Sequence, residues 1–137
     1  MVLRHLVCDL NGTLALDGQV RVATRERLER LANWLDICVL TADTLGMAAQ
    51  ALKGIPVRLV TVRGEDTPSA KVEVVKELGP KSVVAIGNGR NDRLMLAEAA
   101  LGIAVLGPEG ASPWALAAAD IVVPSIEDAL DLLLLPG

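Results

Sequence analysis

Residues 5–13 read His5-Leu6-Val7-Cys8-Asp9-Leu10-Asn11-Gly12-Thr13. A short apolar run ends on a carboxylate and passes at once into a glycine-containing turn, so it reads as a buried strand with a polar group at its C-terminal end. Similar β-branched runs follow as DICVLT (36–41), PVRLVTV (56–62), SVVAIG (82–87), GIAVLG (102–107) and DIVV (120–123). Helical patterns alternate with them: TRERLERLANWL, TLGMAAQAL, SAKVEVVKELG, NDRLMLAEAA, SPWALAAA and SIEDALDLLLL. This β-α alternation predicts an α/β fold, a parallel sheet with helices on both faces. Thr24, Thr67 and Ser125 are N-cap candidates, and Gly79-Pro80 ends the third helix. After the first strand, LALDGQVRV breaks the alternation, and Asp17-Gly18 predicts a small hairpin.

With 137 residues and no composition shift, linker or repeat, one domain over 1–137 is expected. The chain is 52% hydrophobic with Trp34 and Trp114 as its only aromatic residues, so its core must be aliphatic. A net charge of −4 and the shortage of stacking rings argue against a nucleic-acid surface. No apolar stretch is long enough for a membrane span, and Arg4, His5 and Asp9 interrupt any secretory signal, so a soluble cytoplasmic protein is expected. Cys8 and Cys38 lie in apolar runs away from any metal-binding spacing and read as small buried hydrophobes.

In open parallel sheets the chemistry gathers where strands end and helices begin. The polar residues falling there are Asp9 to Thr13, Thr41-Ala42-Asp43, Lys71 and the run Gly87-Asn88-Gly89-Arg90-Asn91-Asp92. A carboxylate beside a glycine turn suits a nucleophile that must approach an anionic phosphorus, with Gly12 letting the backbone come close. Lys71 is the ammonium that such an attack requires, while the Thr41 hydroxyl and neighbouring N–H groups, Ala42 included, suit phosphate oxygens. Asp92, with the amide oxygen of Asn88, offers hard ligands for Mg²⁺.

Taken in order, DLNGTL, VLTADT, Lys71 in TPSAKVEVV and AIGNGRND resemble the four motifs of the haloacid dehalogenase-like superfamily of phosphatases and ATPases. Over essentially the whole chain the sequence is similar to the phosphorylation domain of P-type ATPases. The resemblance implies a three-layer Rossmann-like core with strand order 5-4-1-2-3 and a phospho-aspartyl intermediate on Asp9. It also implies Mg²⁺ held by Asp9, the backbone carbonyl of Asn11, Asn88 and Asp92, and a phosphate site of Asn11, Gly12, Thr41, Ala42 and Lys71. The substrate class implied is a small phosphorylated compound.

Two positions depart from the phosphatase pattern. Asn11 stands where the family has its general acid, and an amide cannot pass that proton. Asn88 stands where the family has an acidic metal ligand. Asp9, Asp92, Lys71 and Mg²⁺ together carry +1, whereas the full set of four carboxylates would carry −1, so the pocket should hold phosphate readily and turn over slowly. The alternatives are a degenerate member that binds phosphate or a partner, and a soluble ATPase. Neither Leu14 to Leu40 nor Ala42 to Ala70 has room for a cap insertion. Closure by another copy of the chain is expected, through the hairpin at Asp17 and Gly18 or the apolar tail Leu132 to Leu135. Arg63, Arg90 and Arg93 are candidates for reading substrate charge at the site mouth.

Overall fold

The structure, a computed structural model, describes residues 2–42, 46–62 and 67–135. The sheet strands in chain order are β1 (His5–Asp9), β4 (Asp36–Thr41), β5 (Arg58–Thr61), β6 (Val83–Gly87), β7 (Leu101–Val105) and β8 (Ile121–Val123). The hairpin is β2 (Ala15–Leu16) with β3 (Gln19–Val20). The helices are α1 (Val22–Leu31), α2 (Gly46–Ala51), α3 (Thr67–Leu78), α4 (Arg93–Glu98), α5 (Pro113–Ala118) and α6 (Ile126–Leu134).

All neighbours in the six-stranded sheet are parallel, in the order β5-β4-β1-β6-β7-β8. Counted along the sheet strands alone this is the expected 5-4-1-2-3 order, with β8 added as a sixth strand beyond β7. The central strand shows why the runs are apolar throughout rather than alternating: its neighbouring side chains enter different layers. Leu6 and Cys8 join Val39, Val84 and Ile86 under α1 and α6, where Leu28, Leu31, Ala129 and Leu130 are fully buried. Val7 joins Leu40 and Ala85 on the other face, under Val75 of α3 and Met95 and Leu96 of α4. Both cysteines are buried and free, and the core is aliphatic, as expected.

The local signals held with two exceptions. Asp17 and Gly18 take φ of +52° and +76°, the paired left-handed conformation that a two-residue hairpin turn requires. Ser125 caps α6 by accepting the Asp128 N–H at 3.1 Å, and Gly79, at φ +99°, follows the end of α3. Thr67 is the first residue of α3. Thr24 is not a cap: α1 starts at Val22, and Thr24 lies buried inside it, donating to Glu127 Oε2 at 3.1 Å. The hairpin delivers the chain into the helix three residues sooner, with Arg21 at the cap position, and the α1–α6 contact claims the hydroxyl. Trp34 and Trp114, although set in apolar helix patterns, are 55% and 51% exposed. In the tail, Leu133 and Leu134 pack against the core while Leu132 and Leu135 stay exposed. Among the described residues no helix is long and apolar enough to cross a membrane.

Gly102 in β7 sets how closely α4 lies on the sheet, because a Cβ there would run into the backbone carbonyl of Leu96. Gly102→Ala should therefore cost about 2–3 kcal/mol through overpacking against rigid backbone. Denaturant unfolding checks this, and a loss below about 0.5 kcal/mol would show that α4 can shift freely.

Candidate active site

The three central strands place the chemistry. In the order β4-β1-β6 they end side by side on Thr41, Asp9 and Gly87, with Asp9 in register with Leu40. Lys71, one turn into α3, reaches across these ends from the neighbouring layer. Its Nζ donates to Asp9 Oδ1 at 3.0 Å and to Asp92 Oδ1 at 2.7 Å. Asp92 sits just before α4 and is 1% exposed, and its other oxygen accepts the Asn88 and Gly89 N–H groups, each at 3.0 Å. Gly87 makes room for that carboxylate, since a Cβ there would stand 2.5 Å from Asp92 Cγ.

Two buried carboxylates share one ammonium, and the electrostatics follow. Burial, then repulsion from Asp92, pushes the Asp9 carboxyl up to about 6, against the opposing pull of Lys71 and a hydrogen bond from Thr13. For Lys71, burial alone would lower the ammonium, but Asp9 and Asp92 outweigh it and hold the group above the usual lysine range. Burial also drives the Cys8 thiol well up, with Asp9 and Asp92 adding to the effect, so this thiol is not a nucleophile. The negative charge left over in a buried site favours a cation. Asp9, Asp92 and the Asn11 carbonyl are hard oxygen donors, which fits a small divalent metal. Among the described residues no group of three or more His, Cys, Asp or Glu side chains gathers there.

Asp9, Asn11, Ala42, Thr67, Lys71, Asn88, Arg90 and Asp92 line one cavity of about 320 Å³. A larger groove, about 720 Å³, lies between the hairpin and α2, but among the described residues its walls, such as Gln19, Met47 and Gln50, carry no titratable group. The charged and polar residues expected at the strand ends gather in the smaller cavity. Thr41 is buried at the end of β4, with its carbonyl accepting the Val62 N–H at 2.8 Å. Asp43 and Arg63 lie outside the described residues. Gly12 is left-handed at φ +79° and packs between the Asn88 amide and Glu109.

Asn88 does more than line the cavity. Its amide nitrogen donates to Gly12 O at 3.1 Å and Gly110 O at 3.3 Å, while its amide oxygen accepts from Thr13 Oγ1 at 3.3 Å. The two carbonyl partners set the amide orientation, because a flipped amide would face them with its oxygen. One side chain thus ties three loops. Thr13, buried and bonded toward both Asp9 and Asn88, and Gly87 have roles at the site that their sequence pattern does not show. Only the glycine immediately before Asn88 hinted at a crowded carboxylate.

Two outcomes follow. Asn88→Asp should lower stability by about 1–3 kcal/mol, since a carboxylate offers no donor to the Gly12 and Gly110 carbonyls; thermal melts with and without Mg²⁺ measure it, and unchanged melting would contradict the tie. Asp9, whose folded pKa is raised, contributes stability when protonated and loses it as pH rises from about 4 through about 6. In metal-free buffer Asp9→Asn should therefore melt higher than the parent at pH 8, by on the order of 2 kcal/mol, with the gap closing toward pH 4. A lower melting point at pH 8 would mean that the Lys71 bond outweighs burial.

Comparison with known proteins agrees with the fold. A family model of haloacid dehalogenase-like hydrolases matches residues 69–130, the part that carries Lys71, Asn88 and Asp92. An uncharacterised protein of Methanocaldococcus jannaschii is 51% identical over 69 residues, covering 47% of this chain and 74% of that protein. A second uncharacterised protein of the same organism is 44% identical over 39 residues, covering 28% of this chain and 89% of that protein. Among solved structures, the 3-deoxy-D-manno-octulosonate 8-phosphate phosphatase of Moraxella catarrhalis, in complex with magnesium, phosphate and KDO, superposes with a TM-score of 0.78 at 19% identity. That match covers 96% of this chain and 86% of the other. The cobalt-bound deoxy-D-mannose-octulosonate 8-phosphate phosphatase of Haemophilus influenzae gives 0.79 at 14% identity, covering 96% and 87%. With the family match over residues 69–130, its sheet order and its Lys71-bridged carboxylates, the chain belongs to the haloacid dehalogenase-like hydrolases.

Proposed function

We propose that the chain is a Mg²⁺-dependent phosphohydrolase that works through a phospho-aspartyl intermediate on Asp9 and acts on a small phosphorylated compound. The observation that carries this reading is the single ammonium of Lys71 bonded to both Asp9 and Asp92 at the floor of the cavity. The magnesium and phosphate named with the Moraxella catarrhalis structure support the choice of metal and substrate class.

An Asp9 oxygen attacks the phosphorus of a monoester, the bond from phosphorus to the leaving oxygen breaks, and water then cleaves the acyl phosphate to release phosphate and free Asp9. Lys71 keeps Asp9 ionised and aimed, and Asp92 keeps Lys71 in place. Thr41 and the Ala42 N–H meet the transferring oxygens. Asp9, Asp92 and the Asn11 carbonyl would hold Mg²⁺, which supplies charge neutralisation when bound. Asn11 lines the cavity but has no proton to give, so the leaving oxygen must take its proton from water. Esters with poor leaving groups are therefore turned over slowly. Binding of phosphate or a partner without turnover is the second reading, favoured by Asn11 together with the Asn88 amide that is already engaged in three hydrogen bonds.

Incubation with Mg²⁺ and a panel of phosphate esters plus ATP should leave an acid-stable, hydroxylamine-sensitive label that Asp9→Asn lacks. Release of phosphate should quicken by about 10²-fold or more in Asn11→Asp. An unlabelled protein would instead support the binding reading, and an unchanged rate in Asn11→Asp would remove the general-acid explanation of slow turnover.

A further inference from the structure

Arg90 lies two residues before the locked Asp92 and lines the same cavity as Asp9 and Lys71. Its guanidinium carbon stands over the Trp114 ring, 4.8 Å from the centroid. Among the described residues no ion pair involves Arg90, whereas Lys71 on the same cavity wall is fully engaged. The neighbouring Arg93 is turned back, its Nη1 donating to the Arg90 carbonyl at 3.0 Å.

The ring beneath Arg90 is fixed in place. Trp114 is the second residue of α5, whose cap Ser112 accepts the Ala115 N–H at 3.1 Å. The Ser112 N–H donates to the Asn88 carbonyl at 2.8 Å, and the Asn88 amide holds Gly110 O. The start of α5 is thus fastened to the loop that carries Arg90. A tryptophan half open to water at this position gains little from burial, but it steadies a cation over its face. A guanidinium held in that way keeps its edge N–H groups for a planar anion.

We propose that Arg90, positioned by Trp114, binds a second anionic group of the substrate, so that the preferred substrates are phosphate monoesters bearing a carboxylate or another phosphate near the ester carbon. The inference rests on the phosphohydrolase reading for its substrate class, and it concerns recognition rather than the chemical step. Arg90 completes a division of charge: Lys71 and the metal face the phosphoryl group, and Arg90 faces the remainder of the molecule.

Steady-state kinetics with phosphoglycolate and ethyl phosphate test it on the Mg²⁺-loaded protein. The parent should favour phosphoglycolate in kcat/KM by about 10- to 100-fold, the range for a charge-assisted hydrogen bond. Arg90→Ala should erase that preference while leaving ethyl phosphate within about 3-fold. Trp114→Ala should raise KM for phosphoglycolate with kcat unchanged, and Trp114→Phe should retain most of the preference. Equal loss on both esters, or no preference in the parent, overturns the proposal, as does AMP outcompeting phosphoglycolate, which would make the ring a base platform. If neither ester is turned over, the phosphohydrolase reading fails on its own. Calorimetry of phosphoglycolate against inorganic phosphate, in the parent and Arg90→Ala, then decides the inference: tighter phosphoglycolate binding that depends on Arg90 supports it, and equal binding overturns it.

Discussion

The ammonium of Lys71, held between two buried carboxylates, is the constraint on which the rest of the site depends. It joins three separately folded pieces: the end of β1, the first turns of α3, and the loop that leads into α4. None could stay in place alone, because an unpaired carboxylate or ammonium at such burial costs several kcal/mol. The cluster is not a device for stability, since well-packed apolar groups of like volume would serve at least as well. With Asp9 as the proposed nucleophile, the cluster is understandable as the cost of holding that carboxylate at the cavity floor. The apolar packing of α3 through Val72 and Val75 supplies the stability that the charged cluster does not.

The two asparagines that set this chain apart serve different ends. Asn11 lies at the cavity edge, where an amide in place of a carboxylate removes a proton donor. Asn88 is woven into the structure, and its two N–H bonds to carbonyls are bonds that a carboxylate could not make. Loss of an acid at one position therefore coincides with gain of a structural tie at the other. A smaller charge in the cavity and a firmer rim arise from the same pair of changes.

Much of this was legible in the sequence because it depends on local pattern. The three central strands read as apolar runs, and the polar residues of the candidate site, Thr41, Asp9 and Asn88, stand at or just after their ends. The Asp17-Gly18 turn and the Ser125 cap follow from backbone chemistry within a few residues. What escaped depends on contacts between distant segments. Thr24 looks like a cap until α6 brings Glu127 to its hydroxyl, and Trp114 sits in an apolar helix pattern that gives no sign of the Arg90 above its ring. Asn88 looks like a weakened ligand until Gly12, Thr13 and Gly110 close around it. No periodicity records such closures.

The position of β1 in the middle of the sheet bears on how the molecule is assembled during synthesis. β1 precedes both of the strands that flank it, and the later of them, β6, pairs Val83 with His5. Until most of the chain has left the ribosome, one edge of β1 is open and Asp9 has neither Asp92 nor the loop that buries it. Parallel pairing of this kind also closes long loops before it returns any contact energy, which makes it slow. The charged cluster is thus complete only once the segment after β6 has been made, because Asp92 lies beyond that strand.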